Sequence, residues 1–181
     1  NFLWLLTDKG LRFIVLVTVN SLLARKLGPE GWGLFNYTSS LIALFGFLSL
    51  LGIDQWVVVR LVNKPESREE ILGSIFLIRL LGAFLGLCLA LIFLYFRGSD
   101  PALKYLLIGI WAIIGYSFDF PDLYFQSINQ SRYSIWNRGL GFSLANAARI
   151  WGIYTDASLG FFVFTILFDS FFSGIAQIAF F

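Results

Sequence analysis

Residues 71–96 hold one charged side chain, Arg79, in a run that is otherwise apolar or small. As a helix the run would rise about 39 Å, more than the ~30 Å hydrocarbon core of a bilayer. Only helices carry runs of this length through lipid, because every backbone group must be paired within its own segment. The pattern recurs along the chain, broken by short charged or Gly/Pro-rich turns. Composition agrees: 58% of the 181 residues are hydrophobic and 13% charged. A soluble domain is nearer 45–50% apolar and about 25% charged. The expected class is therefore an all-α, polytopic membrane protein.

Six spans are expected, at residues 2–23, 33–51, 71–96, 102–120, 134–154 and 158–181. Residues 33–62 as one helix would be about 45 Å long, too long for the core. Gly52-Ile53-Asp54 therefore breaks the second span, and residues 55–62 form a short amphipathic helix. Ser67-Arg68-Glu69-Glu70 reads as a capping box opening the third span, with Ser67 at N-cap and Glu70 at N3. Asp100-Pro101 supplies an N-cap and an N1 proline for the fourth. Residues 121–133 form a polar, aromatic stretch. The chain opens on Asn1 and stops at Phe181 inside an apolar run, so a piece of a longer protein is expected.

Lysines and arginines set the orientation. Lys9, Arg12, Arg60, Lys64, Arg68, Arg132 and Arg138 fall on the side of the N-terminus. Arg25, Lys26, Arg97 and Lys104 fall on the other. The bias favours a cytoplasmic N-terminus. Trp4, Trp32, Trp56, Tyr95, Tyr105, Tyr124, Trp136 and Tyr154 sit at span ends, as an interfacial belt requires.

Several chemistries are excluded. No histidine is present, which removes the commonest general base and metal ligand. The single cysteine, Cys88, forms no internal disulfide and reads as an inert residue of the core or lipid face. No Walker loop is present. A formal charge of +2 gives no reason to expect nucleic acid. No cofactor, metal site or enzymatic activity is expected.

The polar residues inside the spans carry the functional information, since each is costly there. On a wheel of 100° per residue, Asp8, Lys9, Arg12 and Asn20 fall within about 120° of arc. They form either an interfacial N-terminal turn or one wall of a water-filled cavity. Arg138 and Arg149 share a face to within about 20°, with Gly141, Ala145, Asn146 and Gly152 on the same side. Either the arginines snorkel to the surfaces or this face lines a cavity. Arg79 lies on one face with Gly82 and Gly86, a small-xxx-small pair suited to close helix contact. Asp169, Ser173 and Gln177 form a stripe in the sixth span. Asp169 could pair with Arg138 or Arg149, but the helical rise leaves either about 8–9 Å off in depth, so depth assigns no pair. Asp119 and Asp122 read as a helix end facing water.

One segment narrows the class further. Ala24-Arg25-Lys26-Leu27-Gly28-Pro29-Glu30-Gly31-Trp32-Gly33-Leu34-Phe35-Asn36-Tyr37 resembles the first loop of the polysaccharide-export flippases. These are the O-antigen and exopolysaccharide translocases of the multidrug/oligosaccharidyl-lipid/polysaccharide superfamily. Leu51-Gly52-Ile53-Asp54, Val58-Val59-Arg60, Lys64-Pro65-Glu66 and Arg68-Glu69-Glu70-Ile71-Leu72-Gly73 are similar to the stretch after their second helix. Ile78-Arg79-Leu80 resembles their third helix, and Tyr124-Phe125-Gln126 with Tyr133 the segment before their fifth. The fifth span departs from the pattern in carrying Asn146 and Arg149.

The resemblance implies two six-helix bundles, of which this chain supplies the N-terminal one. It implies movement of an undecaprenyl-pyrophosphate-linked oligosaccharide across the membrane by alternating access. Candidate substrate contacts are Arg12, Arg25, Arg60, Arg79, Arg138, Asn146 and Arg149, since inward arginines suit a pyrophosphate. Asp54 and Asp169 are candidates for a coupling ion or for structural roles. Expected partners are the lipid-linked oligosaccharide, membrane lipids, a second bundle, a polysaccharide polymerase and a chain-length regulator. The alternatives are an ion-coupled multidrug exporter of the same superfamily, a membrane-embedded polymerase or ligase, and a free-standing structural protein.

Overall fold

A computed structural model describes residues 2–50, 52–98, 101–128 and 131–179, with side chains over 9–50, 52–64, 66–98, 103–128 and 138–178. The described residues are helical throughout, without strands. The elements are α1 (Phe2–Leu50), α2 (Asp54–Asn63), α3 (Arg68–Arg97), α4 (Pro101–Gly109), α5 (Ala112–Gly115), α6 (Pro121–Ser127), α7 (Ser131–Tyr154) and α8 (Leu159–Ala179). Four stretches are long and apolar enough to cross a membrane: Lys9–Asn63, Arg68–Arg97, Leu103–Ser127 and Leu159–Ile178. The chain is a multi-pass membrane protein.

α1 is two helices joined at Gly28, whose φ of 68° and ψ of 177° lie in a region essentially reserved for glycine. Pro29 restarts the helix where its missing N–H costs nothing. The broad loop expected between residues 23 and 33 is thus a one-residue break. Helix propensity on both sides wins, and a single glycine turns the chain.

The contacts give each segment its direction. In the first arm of α1, Arg12 lies over Phe142 and Lys26 pairs with Asp156, so this arm runs parallel to α7. α8 runs antiparallel to α7: Trp151 meets Phe161, and Arg149 bonds Thr165. In the second arm, Phe45 meets Phe93 and Ser49 bonds the carbonyl of Arg79, so this arm is antiparallel to α3. Ile42 and Val163 converge at Gly109, while Ser49 bonds Ser117 and Gln177 bonds Asp119 farther along. The second arm, the α4–α5 segment and α8 are therefore parallel, and the chain reverses at Gly28.

Small residues make the closest approach. A Cβ on Gly82 would sit 2.3 Å from the Leu48 carbonyl oxygen, and one on Gly86 2.4 Å from that of Phe45. Arg79, Gly82 and Gly86 are all buried, as their shared face predicts. Leu23, Phe35, Ile42, Leu106, Ile113 and Phe162 fill the main core. The outer faces stay apolar: Leu81 is 71% exposed and Phe84 61%, surfaces that suit lipid and not water. Cys88 is exposed on this outer side of α3.

Two local expectations need correction. The fourth span is not one helix over 102–120. It breaks after Gly109, resumes as α5, tightens into a 3-10 turn at Tyr116–Asp119 and continues as α6. The break falls where Ile42 and Val163 press on Gly109, a tertiary contact that local apolarity does not reveal. Ser67 occupies the N-cap of α3 without a side-chain capping bond. A 3-10 turn at Pro65–Ser67 enters the helix directly, leaving Ser67 at φ −105°, ψ 22°, outside the β-region a capping hydroxyl needs. α4 opens at Pro101, while its expected cap, Asp100, lies outside the described residues, as do the side chains of Asp8, Trp4, Arg132, Tyr133 and Trp136.

Candidate functional site

One cluster of charges is organised around Arg138, on the first part of α7. Its Nη2 reaches Asp119 Oδ2 at 3.2 Å and Asp122 Oδ2 at 3.0 Å. Asp122 is 6% exposed and also accepts a bond of 2.7 Å from Gln126 Nε2. Asp119 accepts a second bond, 2.8 Å, from Gln177 Nε2 on α8. The 3-10 turn, α6, α7 and α8 are thus joined by one network. Asp119 and Asp122 are not a water-facing helix end. Pro121 turns the chain so that both acids, three residues apart, point at one guanidinium.

A cavity of about 250 Å³ opens beside this network. The first arm of α1 contributes Arg12, the 3-10 turn contributes Tyr116 and Asp119, and α7 contributes Arg138 and Phe142. α8 contributes Asp169, Ser170 and Ser173. Arg12 is held with its guanidinium 5.4 Å from the Phe142 ring centre. Two arginines and two carboxylates thus face one polar space. The arrangement can hold an anion at the guanidinium forks and a cation or proton at the acids, with hydroxyls to bond a polar ligand.

The sequence candidates divide accordingly. Arg12, Arg138 and Asp169 come together in the cavity. Arg149 and Asn146 are buried deeper along α7, outside its lining. Arg149 is 9% exposed and donates from Nε to Thr165 Oγ1 at 2.8 Å. Asn146 Nδ2 donates to the Phe142 carbonyl at 2.7 Å, and its Oδ1 is buried without a hydrogen-bond partner. Arg79 and Asp54 pair with each other at 2.5 Å, tying α3 to the start of α2. Arg79 is 2% exposed, with Nε and Nη1 lacking bonds. Arg25 is exposed near the Gly28 turn, and Arg60 is exposed on α2 over Trp56. Asp119, Asp122 and Tyr116 were not among the candidates. The signal for the acids was their i, i+3 spacing around a proline, which puts two carboxylates on one side of a turn. The stripe Asp169, Ser173, Gln177 does run along one wall: its first two members line the cavity and the third bonds Asp119.

A family model described as polysaccharide biosynthesis protein matches residues 1–181. The chain belongs to this family. The resemblance read from residues 24–37 and 51–73 is therefore borne out. No curated protein and no solved structure matches the chain. Membership in the family, together with the apolar helices, points to a membrane flippase role in polysaccharide synthesis.

Proposed function

We propose that the chain is the N-terminal six-span bundle of a flippase that carries an undecaprenyl-pyrophosphate-linked oligosaccharide across the inner membrane by alternating access. The reversal at Gly28 and the alternating directions of the later segments support six spans, and the lysine and arginine bias supports a cytoplasmic N-terminus. A second bundle would close the cavity from the opposite side. A polymerase and a chain-length regulator would use the exported lipid-linked sugar. No covalent step is required, and the protein is not an enzyme in this reading.

The observation that carries the proposal is the pairing of Arg12 and Arg138 in one polar cavity of a polysaccharide-biosynthesis family member. Their guanidiniums would bind the pyrophosphate bidentately, and Tyr116, Ser170 and Ser173 would bond the first sugars. Arg149, Asn146 and Arg79 would act behind them, holding the helices that present these groups. Asp169 and Asp119 favour coupling of this movement to a cation or proton, with Asp54 serving Arg79. The same acids support the second reading, an ion-coupled drug exporter.

A photoreactive residue at Phe142 of the full-length protein tests the site. Crosslinking to the lipid-linked oligosaccharide there, and not from the lipid-facing position Leu81, is expected. Equal crosslinking from both positions would remove the support.

A further inference from the structure

A second cleft, of about 370 Å³, lies between α2 and the first turns of α3, apart from the charged cavity. α2 turns Val57 and Leu61 inward, where they join Leu123 of α6 in a small core with Ile71, Leu72 and Ile75. Seated on α6, it leaves space toward α3. Its outward side chains mix apolar and polar groups, with Arg60 on the helix and Lys64 at its C-cap. Trp56, Val59 and Val62 are each more than half exposed, and Arg60 and Lys64 lie one turn apart. This is the pattern of a helix lying in a membrane interface.

The cleft is graded along its length. Nearest the Pro65–Ser67 turn its lining is Lys64, Ser67 and Glu70; farthest from it are Trp56, Ile75 and Ile78. Arg60 lies between, its guanidinium 4.9 Å from the Trp56 ring centre. Among the described residues, neither Arg60 nor Lys64 forms an ion pair with a carboxylate. The basic side chains therefore lie toward one end of the cleft, where Glu70 offsets one of them, and the other end is apolar.

We infer that this cleft binds a bilayer phospholipid, with its phosphodiester between Arg60 and Lys64 and an acyl chain along Ile75 and Ile78. Charge selects the occupant. Arg60 and Lys64 against Glu70 give the lining a net charge of +1. That balances a singly charged phosphodiester. A pyrophosphate would bring further negative charge beside Glu70, so the transported carrier lipid is disfavoured here. The bound lipid would fix α2, and through Asp54 and Arg79 the α2–α3 corner.

Native mass spectrometry of the purified full-length protein with phosphatidylglycerol tests this. Wild type should retain the lipid. Arg60→Gln with Lys64→Gln should weaken retention about twenty-five-fold, at about fivefold per basic side chain. Lys104→Gln, which removes one positive charge on α4, should retain it as wild type does. Ser74→Tyr fills the cleft with both charges kept and should also lose the lipid, so the answer stands if the double variant does not fold. Retention unchanged in the double variant or in Ser74→Tyr would overturn the inference. So would displacement of phosphatidylglycerol by equimolar undecaprenyl pyrophosphate. None of these readouts depends on transport.

Discussion

Arg138 of α7 binds Asp122 of α6 at 3.0 Å, and the two partners are unequally buried: 39% of the arginine side chain is exposed and 8% of the aspartate's. The arginine can recover water when its partner is removed. The aspartate cannot. Arg138→Ala should therefore destabilise the folded protein more than Asp122→Asn, by roughly 1–3 kcal/mol for the group left buried. Thermal melts of both variants and of the double variant measure this. The double should cost less than the sum by about 0.5–3 kcal/mol. Simple additivity would mean that the contact carries no coupling.

The same reasoning inverts at the other internal pair. Arg79 is 2% exposed and Asp54 46%. Asp54→Ala strands a buried guanidinium, and a buried charge without its partner costs about 3–5 kcal/mol. Arg79→Met leaves only a half-exposed carboxylate and should cost clearly less. Equal losses in detergent melts would show that Asp54 does not neutralise Arg79.

Gly28 reverses the chain with a backbone that a side chain resists. Gly28→Ala should cost roughly 1–3 kcal/mol, since no Cβ contact is within 4 Å and the penalty is conformational alone. Gly82→Ala fails for the other reason, a collision with the Leu48 carbonyl, and should lower folded yield further. A Gly28→Ala melt equal to that of wild type would show that the turn is not strained.

Orientation can be read by labelling. A cysteine at Asp156, in the exposed turn between α7 and α8, should react with an impermeant reagent outside intact cells, in a variant lacking Cys88. One at Ser67, in the turn between α2 and α3, should not. Outside labelling of Ser67 would reverse the proposed topology.

Much of this architecture was legible because lipid leaves few choices. Long apolar runs had to be helices, and glycine or charged turns had to separate them. The turns at Gly52, Gly98 and Asp156 fall where the sequence breaks, with φ of 65°, 72° and 55°. The break after Gly109 was not legible; it lies where Ile42 and Val163 pack from distant segments. Partners of the buried charges were legible only in part. A helical wheel assigns Arg138 to a face but gives no depth for the acid opposite. Asp119 and Asp122 resembled a solvated helix end because acids beside a proline commonly are. Arg149 shared the face of Arg138, yet the rise between them carries it past the cavity to Thr165.

The central claim is that Arg12 and Arg138 hold the phosphates of a lipid-linked sugar. Arg12→Gln is the cleaner probe, because Arg138 also stabilises the fold. In cells expressing the full-length variant, surface polysaccharide and membrane-inserted protein can be measured together. Export should fall about tenfold or more with protein level unchanged, the worth of one charge-assisted bond of roughly 1.5–3 kcal/mol. Arg12→Lys should restore part of it, since an ammonium keeps the charge but not the fork. Lys104→Gln should export as wild type does. Normal export by Arg12→Gln at normal protein level would contradict the account.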